Sequence, residues 1–122
     1  MREIKFRAWD KNLNEMRFDI KIPSDYTERH GNLDLLNMFQ SLSQRYVFMQ
    51  YTGLKDKNGK QIYEGDILKC ELYFGAVEWI EDWAMFAINN DRLESLILWA
   101  SVSEIIGNIY ENPELLKGDE DE

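Results

Sequence analysis

The chain predicts a mainly β domain, a small and strongly bent barrel of the SH3-like kind with an N-terminal hairpin and one inserted helix at about residues 32–44. Three observations lead there. Residues 46–68 read as strand, tight turn and strand around Asn58-Gly59, the pair best suited to a two-residue type I′ turn because both tolerate positive φ. Short apolar runs then recur at intervals of roughly ten residues, the spacing of a sandwich or barrel. Gly65-Asp66 stands between two such runs, where glycine lets one small-barrel strand bend into the next.

The first segment alternates, with Ile4, Phe6 and Ala8 on one face and Glu3, Lys5, Arg7 and Trp9 on the other. A half-buried strand is expected. Residues 10–14 supply a turn, after which Met16, Phe18, Ile20 and Ile22 alternate with Glu15, Arg17, Asp19 and Lys21 until Pro23 ends the run. The pair makes a hairpin with one apolar and one charged face. Leu33, Leu35, Leu36, Phe39 and Leu42 then recur at helical spacing, one stripe on a helix that Asn32 or Asp34 would cap. In Tyr63-Glu-Gly-Asp66 a tight bend is expected, Gly65 supplying positive φ and Asp66 accepting hydrogen bonds from the turn's own backbone.

The second half predicts strands at residues 67–73, 76–80 and 85–88 and a further apolar run at 96–99, separated by Gly75, by Glu81-Asp82 and by residues 89–91. Residues 102–106 are too few to settle a period. Residues 106–110 are expected to close the sheet, and Asn112-Pro113 stops it.

With 122 residues the chain suits one domain, residues 1–117, followed by the acidic tail 118–122, expected to stay solvated. A hydrophobic share of 44% and an aromatic share of 13% are too high for a disordered chain. The single cysteine, Cys70, forms no internal disulfide and agrees with a reducing cytosol. Because no stretch approaches the ~20 apolar residues of a membrane helix and the N-terminus alternates charge with apolar side chains, a cytoplasmic protein is expected. The net charge of −9 is unevenly divided: residues 1–60 hold 11 basic against 8 acidic side chains, and residues 61–122 hold 3 against 15. Such a split permits head-to-tail self-association.

No catalytic signature is legible. His30, the only histidine, sits among polar residues and reads as a solvated side chain. Cys70 reads as a small buried hydrophobe within a strand. Gly53, Gly59, Gly65 and Gly75 are too far apart to cradle a phosphate, and Asp56-Lys-Asn-Gly59 places glycine fourth where a calcium loop needs it sixth. No catalytic residue, metal ligand or cofactor site is therefore assigned.

The opening stretch from Met1 through Phe6-Arg-Ala-Trp-Asp10, the central Met49-Gln-Tyr-Thr-Gly-Leu54 with Ile62-Tyr-Glu-Gly-Asp-Ile67, and the closing Ile106-Gly-Asn-Ile-Tyr-Glu-Asn-Pro113 resemble the YopX family of phage and prophage proteins. Residues 25–45 and 78–94 carry no family-specific motif. The resemblance implies a small, mostly β protein encoded by bacterial viruses or integrated prophages, and it carries no functional residues with it.

The function expected from the residues is a non-catalytic module that binds protein or self-assembles. Four tryptophans and six tyrosines exceed what a core of this size requires, and such side chains are favoured interface anchors. Trp9, Lys5, Arg7, Arg17 and Lys21 on the charged face of the first hairpin, with Trp83 after Glu81-Asp82, form the candidate interaction surface. The partners expected are a second copy and a host or phage protein. A second reading places single-stranded nucleic acid on the same face, though Glu3, Glu15 and Asp19 interrupt it and net charge opposes it. A third, magnesium-dependent nuclease chemistry, rests on Glu3-Ile-Lys5 and Asp19-Ile-Lys21, a spacing that cross-strand ion pairs also produce.

Overall fold

The computed structural model describes residues 5–18, 43–71, 73–90 and 92–117. The chain divides into two compact units, one spanning residues 5–49 and the other dominated by residues 50–122. The protein is mostly β, with nine strands among the described residues and helical turns of three to five residues.

In the first unit, β1 (Phe6–Asp10) pairs antiparallel with β2 (Glu15–Arg17), Ala8 opposite Arg17 and Trp9 opposite Met16. Asn14 takes φ 54° in the connection, a left-handed conformation that asparagine tolerates. The expected alternation of β1 does not hold. Phe6 is 41% exposed, whereas Arg7, Ala8, Trp9 and Asp10 are all buried. A strand covered on both faces loses its polar side, so period-two reading assigns half its residues wrongly. Of the inserted helix, residues 43 and 44 are helical, and the rest of 32–44 lies outside the described residues, as do Ile20, Ile22, His30 and the acidic tail.

β3 (Tyr46–Lys55) runs on into the second unit, where it forms a hairpin with β4 (Gln61–Tyr63). The connection is not the two-residue type I′ turn expected. Only Gly59 has positive φ, 81°, and the Gly59 N–H donates to the Asp56 carbonyl at 3.0 Å while the Asp56 N–H donates to the Lys60 carbonyl at 2.8 Å. That is a three-residue loop, a type I turn followed by one left-handed glycine. Asp56 selects it: its carboxylate accepts N–H bonds from Asn58 (2.8 Å) and Lys60 (2.9 Å), which a two-residue loop would leave no room for.

At the next bend Gly65 has φ 87°, and the Asp66 carboxylate accepts the Tyr63 N–H at 2.8 Å. Gly65 also ties the sheet together, its N–H donating to the Val77 carbonyl and its carbonyl accepting the Ile109 N–H. From there β5 (Asp66–Lys69), β6 (Phe74–Ile80), β7 (Met85–Asn89) and β8 (Leu93–Ser95) form an antiparallel meander. A helical turn, α1 (Leu96–Trp99), and a 3₁₀ turn (Ala100–Val102) then lead to β9 (Glu104–Asn108). β9 returns beside β5, so the strand order is β8-β7-β6-β5-β9. This order, with a helical turn before the last strand, is that of the SH3-like barrel expected.

The core of this unit is Ile62, Leu68, Val77, Ile88, Leu96 and Ala100, with Leu54, Tyr73, Phe86, Trp99 and Ile105 packed against it. Each of the large aliphatic side chains contributes about 2 kcal/mol by leaving water. The apolar run at residues 96–99 is a helical turn and not a strand. Successive residues of a helix point about a quarter turn apart, so Leu96 is buried while Ile97 and Leu98 are 67% and 73% exposed.

Candidate interaction surface

Of the six residues expected on the interaction surface, Lys5, Arg7, Trp9, Arg17 and Trp83 are described. Trp9 and Arg7 are buried, at 8% and 4% exposure, and so are not available for stacking or phosphate contact. Lys5 is half-buried. Arg17 is exposed with Glu15 at 4.0 Å, an ion pair worth little on a surface. Lys21 lies outside the described residues. Trp83 is 46% exposed in the 3₁₀ turn Glu81–Trp83.

Buried charge in the first unit is organised around Asp10. Its carboxylate accepts the Asn12 and Leu13 N–H groups at 3.0 and 3.2 Å, and Arg45 grips both oxygens, Nε to Oδ1 at 3.1 Å and Nη2 to Oδ2 at 2.9 Å. The Arg45 guanidinium, reinforced by those N–H groups, outweighs the cost of burial and holds the carboxyl at about 2 against an ordinary 3.8. Arg45 also lies over the Tyr46 ring, 5.2 Å from its centre. Asp56 is the counterpart in the second unit. Burial pushes its carboxyl up, but N–H bonds from Ile105, Lys60 and Asn58 more than offset that and hold it below the usual range.

These arrangements brace turns. Their pH dependence follows from sign. A carboxyl lowered by folding binds its proton more readily in the unfolded chain, so the stability it contributes is complete above the unfolded value and is lost as pH falls. We expect the melting temperature to fall as pH drops from about 4 toward 2, and Arg45→Met to remove most of the Asp10 share of that slope. Thermal melts of both proteins between those pH values measure it.

The surface that sequence reasoning missed lies on the second unit. The end of β5, the 3₁₀ turn and the start of β9 enclose an open cleft of about 610 Å³, lined by Lys57, Lys69, Cys70, Glu71, Trp99, Val102 and Glu104. Three local bonds position it. Lys57 N–H donates to the Ser103 carbonyl, Ser103 N–H to the Ala100 carbonyl, and the buried Ser103 hydroxyl to the Trp99 carbonyl. Trp99 and Val102 give the cleft an apolar side and two lysines with two glutamates give it a mixed rim. Cys70, half-buried with a free thiol, lies in its wall. Beside it project Ile97, Leu98 and Val102, the last 55% exposed.

A second exposed group lies at the β6–β7 hairpin end, where Trp79, Trp83 and Met85 are 45%, 46% and 37% exposed. Trp79 packs edge-on against Phe86, its partner in the strand register, with ring centres 5.1 Å apart. Among the described residues no three His, Cys, Asp or Glu side chains come together as metal ligands. No helix among them is long and apolar enough to cross a membrane.

Comparison with known proteins adds three findings. The family model described as YopX protein matches residues 5–117. The chain is similar to a solved structure, the crystal structure of protein EF1440 from Enterococcus faecalis, at 29% identity and a TM-score of 0.55, over 95% of this chain and 99% of that one. No curated protein matches.

Proposed function

The chain belongs to the YopX family, and from that premise together with its exposed surface we propose that it is a non-catalytic protein-binding module that assembles with copies of itself. It acts in the cytoplasm of a bacterial host as an accessory protein encoded by a virus or prophage. The observation that carries the reading is the helical turn before β9. Ile97, Leu98 and Val102 are all more than half exposed within six residues, beside an apolar-sided cleft. Burying such side chains between two proteins removes apolar surface from water at about 1.5–3 kcal/mol each. The turn is held by the buried Leu96 and Ala100 and by the Ser103 bonds, so it is presented in a fixed shape that needs little ordering on contact.

Sedimentation of the full chain over a range of concentrations tests this. The wild type is expected above its monomer mass of 14.5 kDa, and Leu98→Glu is expected to weaken assembly at least roughly tenfold, a change of about 1.4 kcal/mol, with an unchanged melting temperature. A wild type that stays monomeric at every concentration, or a variant that assembles equally well, overturns the reading.

A further inference from the structure

The β6–β7 hairpin end joins exposed aromatic surface to unopposed negative charge. Residues 70–91 contain five acidic side chains and no lysine or arginine. Glu78 is held in place by a hydrogen bond from Asn89 Nδ2 at 3.0 Å, and neither Glu81 nor Asp82 has an ion-pair partner among the described residues. Trp79 lies on the sheet face opposite Glu78 and Met85 on the same face as Glu78, and the turn between the strands, which carries Glu81, Asp82 and Trp83, buries none of its own residues. The tip is nonetheless rigid. Trp79 is braced by Phe86, and β6 and β7 stay in register from Ala76–Asn89 to Ile80–Met85.

We infer that this tip docks an arginine- or lysine-rich segment of a partner protein, its cationic side chains lying on the indole faces while the carboxylates neutralise them. An indole face attracts a cation through its quadrupole, and nearby carboxylates strengthen that attraction wherever water is partly displaced. Charge decides the occupant. A second copy offers a surplus of only 11 − 8 = +3 spread over its residues 1–60, too dilute to match the tip, and an uncharged peptide leaves the carboxylates desolvated without partners. A nucleic acid is excluded by the same sign. The tip and the turn at residues 97–102 are made of different residues, so Trp83→Ala tests this contact and Leu98→Glu tests self-assembly.

The probe is a fluorescein-labelled peptide of alternating arginine and serine, titrated with the full chain and read by anisotropy, beside a peptide of alternating glutamate and serine. The arginine peptide is expected to bind saturably and the glutamate peptide not at all. Trp83→Ala is expected to weaken binding about tenfold through loss of the cation–π contact, and the Glu81→Gln/Asp82→Asn variant to weaken it and flatten its dependence on salt. Glu104→Gln, exposed on β9 and level through Lys69 with the Phe74 end of β6, opposite the tip, is expected to change affinity less than about twofold, as a surface charge away from the contact does. Trp83→Ala should leave the sedimentation mass and melting temperature unchanged, because the side chain is half exposed. Absence of saturable binding overturns the inference. So does binding that Trp83→Ala leaves intact, which would mean diffuse attraction to the acidic half of the chain.

Discussion

Asp56→Ala is expected to destabilise the protein by about 4 kcal/mol, the cost of leaving several buried N–H groups unpaired. That corresponds to a fall of about 15 °C in melting temperature for a domain of this size. Asp56 is 5% exposed, and its two oxygens accept three N–H bonds that reach in two directions. Oδ1 takes Asn58 and Lys60 within the β3–β4 loop, and Oδ2 takes Ile105 on β9 at 3.0 Å, 49 residues away in the chain. One side chain therefore closes a local turn and fastens the last strand of the sheet to it. Asparagine divides the two roles. With its oxygen toward the loop, Asp56→Asn keeps the turn but points an amide N–H at the Ile105 N–H, donor against donor. Its loss should be about half that of alanine, since only one of the two directions fails. Denaturant melts of the wild type and both variants measure the difference, and an asparagine variant as stable as the wild type would show that the β9 tie contributes nothing.

Gly75→Ala is expected to cost about 2 kcal/mol, as overpacking of a close-packed site does. Gly75 lies on β6 between Leu68 of β5 and the end of β7. A Cβ there would stand 2.7 Å from the Asn89 carbonyl oxygen and 3.0 Å from an Ile88 methyl. The obstacle is backbone, which no rotamer change relieves, so β6 and β7 would have to part where the core residues Val77 and Ile88 face each other. Gly59→Ala is a useful contrast: nothing lies within 4 Å of its added Cβ, and only its positive φ resists substitution. Parallel thermal melts would separate crowding from backbone strain.

How much of this was legible beforehand differs from residue to residue. Gly65-Asp66 and Asp10 with the residues after it announce turns, and turns are what they make, because glycine's freedom at positive φ and a carboxylate's reach to nearby N–H groups are local properties. Asn58-Gly59 announced a turn of the wrong kind. The pair permits the type I′ loop, but Asp56 two residues earlier competes by accepting N–H bonds that only the longer loop offers. The blocks that carry the family resemblance include Asp10, Thr52, Asp66 and Asn108, all of them buried, with carboxylate, hydroxyl or amide groups that receive or share hydrogen bonds. They specify how the chain folds and leave the outward surface to other residues.

The exposed groups were the least legible. Trp9 sits on the polar phase of an alternating strand and is buried, while Trp79 sits in a strand and is half exposed. Nothing within a few residues distinguishes them, because exposure depends on what packs from elsewhere in the chain. Leu96, Ile97 and Leu98 make the same point within three positions. Four apolar residues are too few to show a period of two or of 3.6.

From its order of residues alone, then, this chain determines a mostly β fold with its bends at Gly59 and Gly65, since turn chemistry and short apolar runs act over neighbours. Only the tertiary structure decided which apolar and charged side chains face water, because the strand β9 that closes the sheet beside β5 comes from some forty residues further along the chain. Burial is a property of that long-range pairing, and the surface available to a partner is what the pairing leaves uncovered.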